Sequence, residues 1–132
     1  MTANPVVWFE IYVTDLKRAR AFYEKVLGVK LDDMPMEGMG EGDGVGNIEM
    51  VSFPMQMEGA GAAGALVRME GFPVGGNSTL VYFSSEDCAI EAARVPGAGG
   101  RIQREKTPIG PYGFIALAVD TEGNMFGIHS QK

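Results

Sequence analysis

Few side chains in this chain are suited to chemistry at neutral pH, and they are scattered along it. His129 is the one histidine, and an imidazole can pass protons or bind a metal near neutrality. Glu10 supplies a carboxylate on Val6–Val13, a segment of β-branched and aromatic residues that suit a half-buried strand. On such a strand Trp8, Glu10 and Tyr12 share one face. Cys88 is the one cysteine. It lies in a small-residue helical pattern, so it reads as a buried, inert thiol, and an internal disulfide is excluded. One Cys and one His also exclude a structural zinc site built from those residues. No G-x-S-x-G elbow is present, which sets aside Ser-His-Asp hydrolysis.

Gly38–Gly46, GMGEGDGVG, invites a phosphate-cradling reading. Its spacing matches neither G-x-G-x-x-G nor the Walker pattern, and Glu41 and Asp43 would repel an anion, so a mobile loop or long hairpin turn is expected. The net charge of −6 argues against nucleic acid or an anionic membrane as partner. No apolar run approaches the roughly 18 residues of a membrane span, and the amino-terminal MTANPVVWFE has no leader pattern, so a cytoplasmic location is expected.

The elements that must carry these residues come in two copies. Val6–Val13 is followed by Thr14 and Asp15, short oxygen-bearing residues that can cap a helix. Ala19, Phe22, Tyr23, Val26 and Leu27 then form one apolar stripe, and Gly28 is suited to end the helix. Strands are expected at Val29–Met36, Asn47–Met55 and Gly64–Met69. After the break EGFPVGGN the pattern restarts with a strand at Ser78–Phe83, an N-cap at Ser84 and a helix over Glu86–Val95. Ala89, Ala92 and Ala93 echo Ala19, Phe22 and Tyr23. Arg101–Glu105, Phe114–Val119 and Met125–Ser130 complete the set, and Phe114–Val119, apolar on both faces, should lie centrally. The expected fold is α+β: a single domain over residues 1–132 made of two βαβββ modules, about 5–70 and about 77–131, whose curved, mostly antiparallel sheets surround a cleft.

Three motifs carry a resemblance over essentially the whole chain: Phe9-Glu10-Ile11-Tyr12-Val13-Thr14-Asp15-Leu16, Thr107-Pro108-Ile109-Gly110-Pro111-Tyr112-Gly113 and Glu122-Gly123-Asn124-Met125-Phe126-Gly127-Ile128-His129. With the duplication, they resemble the vicinal oxygen chelate superfamily, which includes glyoxalase I, bleomycin-resistance proteins, ring-cleaving dioxygenases and methylmalonyl-CoA epimerase. The similarity is greatest to its short glyoxalase-related members.

In metal-dependent members of that superfamily, four side chains hold a divalent ion, from the opening and closing strands of each module. The resemblance places these positions at Trp8, at Ala65 or Leu66, at Ser78 and at Gly127. None offers a His or a carboxylate, so it implies loss of the usual metal site, with no cofactor required and a divalent metal possible only at a relocated site. The same face parity puts Glu10 and Tyr12 beside Trp8, Tyr82 beyond Ser78 and His129 just past Gly127. Glu10 and His129 could then serve as acid and base in one cavity; alternatively, Glu10 pairs with a basic side chain and His129 hydrogen-bonds near the C-terminus. Trp8, Tyr12, Ser78, Tyr82 and Phe114 are the candidate ligand-binding residues. Met50, Met55, Met57, Met69 and Met125 suit either a cavity lining or a core, and Arg68 suits either an anionic ligand group or solvent.

Two functions follow as expectations. The first is a small-molecule-binding protein of sequestering or resistance type, a homodimer by family resemblance. The second is a lyase, isomerase or dioxygenase-like enzyme that uses Glu10 and His129 or a relocated metal. A third reading, an interaction module, requires side chains such as Trp8 and Phe114 to close the cleft.

Overall fold

The computed structural model describes residues 4–34, 48–56 and 58–132, so the Gly38–Gly46 stretch, Met36, Asn47 and Met57 lie outside the described residues. The first module comprises β1 (Trp8–Tyr12), α1 (Leu16–Leu27), β2 (Asp32–Asp33), β3 (Ile48–Ser52) and β4 (Ala63–Met69). The second comprises β5 (Tyr82–Ser84), α2 (Cys88–Arg94), β6 (Arg101–Pro108), β7 (Phe114–Val119) and β8 (Met125–Ser130). Each forms a four-stranded sheet, ordered β1-β4-β3-β2 and β5-β8-β7-β6. In both, the opening strand runs parallel to the closing strand and the remaining pairs are antiparallel. The α+β arrangement of tandem modules is as expected, and β7 is central. Both opening strands, β1 and β5, sit at sheet edges.

Local chemistry explains α1 closely. The Asp15 carboxylate accepts from the Arg18 N–H at 3.0 Å, and Gly28 ends the helix at φ 68°, a left-handed conformation that costs glycine little. Ala19, Phe22, Tyr23 and Val26 are buried, while Leu27 is only partly so. The helix is tied to the next strand by Arg20, which donates to Asp33 at 2.7 Å and to the Leu31 carbonyl.

The second module departs from its sequence pattern. The N-cap is Asp87, not Ser84, and α2 begins at Cys88, not Glu86. The Ser85 hydroxyl accepts from the Asp87 N–H at 3.0 Å, a local turn that delays helix entry. The strand expected at Ser78–Phe83 is β5 at Tyr82–Ser84. The Asn77 amide donates to the carbonyls of Thr79 and Met125, bending the chain at Ser78–Thr79 before pairing with β8 begins at Val81. Ser78 is therefore off the sheet, and its expected strand register with Trp8 does not hold.

One core spans both modules. Ile11, Val51, Phe53 and Leu66 from the first module pack with Phe22, Tyr23 and Val26 of α1, with Cys88, Ala92 and Val95, and with Ala116, Ala118, Phe126 and Ile128 of the second sheet. Tyr23 lies at its centre, with ring centroids 5.0 to 5.8 Å from those of Phe22, Phe53, Phe83 and Phe126. Each such side chain, fully buried, contributes about 2 kcal/mol of hydrophobic stabilisation.

A polar seam closes the junction. The Tyr23 phenol donates to Asp120 at 2.6 Å, and the Asn124 amide donates to the Tyr12 carbonyl at 2.9 Å. Glu122 accepts from the Thr14 and Asp15 N–H groups, both at 3.0 Å, and from Arg18 at 2.7 Å. The turn before β8 thus caps the first helix of the other module.

Candidate functional site

The face of the first sheet opposite α1 carries the candidate site. Pairing of β1 with β4 sets Trp8, Glu10 and Tyr12 against Ala63, Ala65 and Val67. Ala65 therefore shares the face of Glu10, and Leu66 turns into the core. Around these residues Met34, Ile48, Met50 and Met69 pack with Ala65, Val67, Trp8 and Tyr12 as a second apolar cluster. Methionine's unbranched thioether fills such irregular space readily.

Glu10 is clamped on this face. Its Oε2 accepts from the Trp8 indole Nε1 at 3.1 Å and its Oε1 from the Tyr12 hydroxyl at 2.6 Å. Burial, with the hydrogen bond to Glu10 and the charge of that carboxylate, pushes the Tyr12 phenol up to about 12. Phe72 stacks on the Tyr12 ring, with centroids 4.7 Å apart and planes 20° apart. Alternation along β1 brings Trp8, Glu10 and Tyr12 together, and the edge position leaves them accessible.

Beside the clamp lies a cavity of about 530 Å³, between β1 and the segment that leads into β5. Glu10, Tyr12, Pro73, Val81 and Met125 are among its lining residues. Glu10 is the one charged side chain among its described lining residues. Its size suits a small organic molecule.

A second cavity, of about 520 Å³, lies on the second sheet and is lined by Tyr82, Phe83, Ser84, Ile109, Ile115 and His129. His129 Nε2 donates to the Tyr112 carbonyl at 2.7 Å. Glu10 and His129 thus line different cavities. Tyr82 is 46% exposed, and its ring lies over Gly127, where a side chain would run into it. Phe114 packs against the main core with the Lys106 ammonium 4.7 Å from its ring centroid, and it is not among the residues lining the Glu10 cavity. Ser78 lies in the bend ahead of β5. Arg68 faces Glu49 at 3.9 Å, with 40% of its side chain exposed, so it is a solvated cross-strand pair.

Sequence reasoning missed Glu122, Arg18 and Asn124. Glu122 and Asn124 were visible only as part of a motif, with no local sign that they span to the other module.

A profile described as "Bleomycin resistance protein-like N-terminal" matches residues 6–40, the stretch from β1 through α1. No curated protein matches the chain in sequence. Among solved structures, glyoxalase I from Zea mays superposes with a TM-score of 0.69 at 24% identity, covering 96% of this chain and 46% of its own. The chain thus spans just under half the length of that enzyme. A glyoxalase/bleomycin resistance protein from Albidiferax ferrireducens gives 0.64 at 20% identity, covering 98% of this chain and 100% of its own. An antibiotic binding protein from a Streptomyces species gives 0.63 at 23% identity, covering 100% and 99%.

The chain has the fold of the vicinal oxygen chelate superfamily.

Within this glyoxalase/bleomycin-resistance-like fold, the motifs acquire structural roles. Asp15 of the first motif caps α1, and Glu122 and Asn124 of the third bind the opposite module. The second motif forms the turn of 3-10 helix Gly110–Tyr112, whose last carbonyl holds His129. Among the described residues no three His, Cys, Asp or Glu side chains converge as a metal-binding group, and no helix is long and apolar enough to cross a membrane.

Proposed function

We propose that this protein binds a small organic molecule without a metal, through the cleft beside Glu10. The carrying observation is the cavity of about 530 Å³, lined mainly by apolar and backbone groups with a single oriented carboxylate at its wall. Apolar lining with few fixed polar groups is the common make-up of a ligand site. The solved structure of an antibiotic binding protein with the same fold lends support.

The residues at the superfamily's ligand positions do not fit a divalent ion. Trp8 offers only an indole N–H, which donates and already serves Glu10. Ala65 has no donor atom, Ser78 is off the sheet and Gly127 lies under the Tyr82 ring. The alternative, a lyase, isomerase or dioxygenase-like enzyme with Glu10 and His129 as acid and base, is weakened because the two line separate cavities.

A homodimer and a cytoplasmic location belong to the same reading, since edge strands β1 and β5 leave pairing groups that a second copy can cover. Metal analysis of protein purified without chelator tests the central point. Less than about one tenth of an equivalent of metal is expected; a tightly held ion near unit stoichiometry overturns the reading. Sedimentation tests the dimer, and a concentration-independent species near the chain mass of 14.1 kDa counts against it.

A further inference from the structure

We infer that the Glu10 clamp selects the ligand's charge: it recognises a protonated amine carried by an otherwise apolar molecule. This rests on the binding-cleft reading above and adds the class of ligand to it.

The geometry leaves the carboxylate ready for a cation. Each of its oxygens receives one donor, Trp8 Nε1 on Oε2 and the Tyr12 hydroxyl on Oε1. A carboxylate oxygen has room for a second donor, so both can still accept from an ammonium. The two existing bonds hold the group in one orientation, which spares the ordering cost at binding. Among the described residues no lysine or arginine lies within ion-pair distance of Glu10, so among them its charge has no counter-ion.

The surroundings favour an organic cation over a hydrated inorganic one. The indole of Trp8 and the phenol of Tyr12 flank the carboxylate, and Phe72 extends that aromatic surface by stacking on Tyr12. Aromatic rings pack well against hydrocarbon, which suits the apolar body of such a ligand. The cavity wall gives an inorganic ion no second carboxylate, because Glu10 is the one charged side chain among its described lining residues. A net charge of −6 draws cations toward the protein and repels anions.

Calorimetric titration with three probes on one naphthyl ring, naphthylethylammonium, naphthylethanol and naphthylacetate, tests this. The expected result is that the ammonium binds about tenfold or more tightly than the alcohol, and that naphthylacetate binds weakest. Glu10→Gln keeps the size of the side chain and should erase the preference, bringing the ammonium's affinity to within about threefold of the alcohol's. Trp8→Phe, which removes one orienting donor, should reduce the preference without erasing it. Equal binding of all three probes overturns the charge assignment and leaves the cleft reading standing. So does a preference that survives Glu10→Gln. Binding of none of the probes overturns both.

Discussion

Arg18 and Glu122 join the two modules: Nε of Arg18 on α1 lies 2.7 Å from Oε2 of Glu122 in the turn before β8, and Nη2 lies 3.0 Å from Oε1. The Glu122 side chain is fully shielded although Arg18 is half exposed. This fork also closes over the first turn of α1, where Thr14 and Asp15 donate to the same carboxylate. A negative group at a helix N-terminus is favoured by the unpaired N–H groups there.

Glu122→Gln should therefore destabilise the protein by about 2 kcal/mol, because a neutral amide forms weaker bonds with Arg18 and places an N–H near backbone donors. Urea denaturation measures it. A change below about 0.5 kcal/mol would show that the fork is held by its surroundings and adds little.

Acid should expose the same contact. Burial pulls the Glu122 carboxyl upward, but the bonds from Arg18, Asp15, Thr121 and Thr14 outweigh it and hold the group down at about 2, against an ordinary 4.5. A carboxyl depressed in the folded state gives stability that is complete above the unfolded value and is lost as pH falls through the folded one. The Glu122 contribution, about 2 kcal/mol after allowing for the exposed partner, should thus drain away between about pH 4.5 and pH 2. Stability measured across that range should fall less steeply in Glu122→Gln; parallel curves would count against the assignment.

Tyr23→Phe removes the bond from the phenol to Asp120 at 2.6 Å and little else, since the ring is completely buried among aromatics. Burial already pushes the Asp120 carboxyl up, and the hydrogen bonds it accepts work against that rise. Losing the phenol should cost about 2 kcal/mol and raise the Asp120 value further, which chemical denaturation and carboxyl NMR titration can read. An unchanged titration would mean that the N–H groups of Glu122 and Asn124 suffice to hold the charge.

Introducing metal ligands at Trp8 and Gly127 should fail for a steric reason. In Trp8→His with Gly127→Glu, the new glutamate must displace the Tyr82 ring, and Ala65 still supplies no ligand. We expect zinc or nickel to bind this variant no tighter than a surface His–Glu pair, with affinity rising by less than about tenfold on adding Tyr82→Ala. Tight binding by the unmodified protein, abolished by Ser78→Ala, would instead show that the ligand positions are misassigned.

Much of the first module was legible because its signals are local. Asp15 and Gly28 bound α1 through short-range hydrogen bonding and backbone freedom, and the parity of Trp8, Glu10 and Tyr12 follows from strand alternation alone. β7 and β8 keep their expected bounds: β7 is apolar throughout, and the turn at Thr121–Gly123 marks where β8 can begin. The second module was harder. Its helix start was misplaced because Ser84, Ser85 and Asp87 are all competent caps, and only the turn made by the Ser85 hydroxyl selects Asp87. The strand at Ser78 was misread because Asn77 reaches to Met125 across the sheet, a contact with no local trace.

What the sequence determined by itself is the duplicated α+β pattern, the caps of α1 and the common face of Trp8, Glu10 and Tyr12. These depend on residue type and on spacing within a few positions. Tertiary structure alone decided that Glu10 and His129 line different cavities, that Glu122 caps a helix more than a hundred residues earlier, and that Tyr82 covers Gly127. The reason is physical: such contacts are set by how the two sheets pack around Tyr23 and its neighbours, and packing depends on shape summed over the whole core, which no local stretch contains.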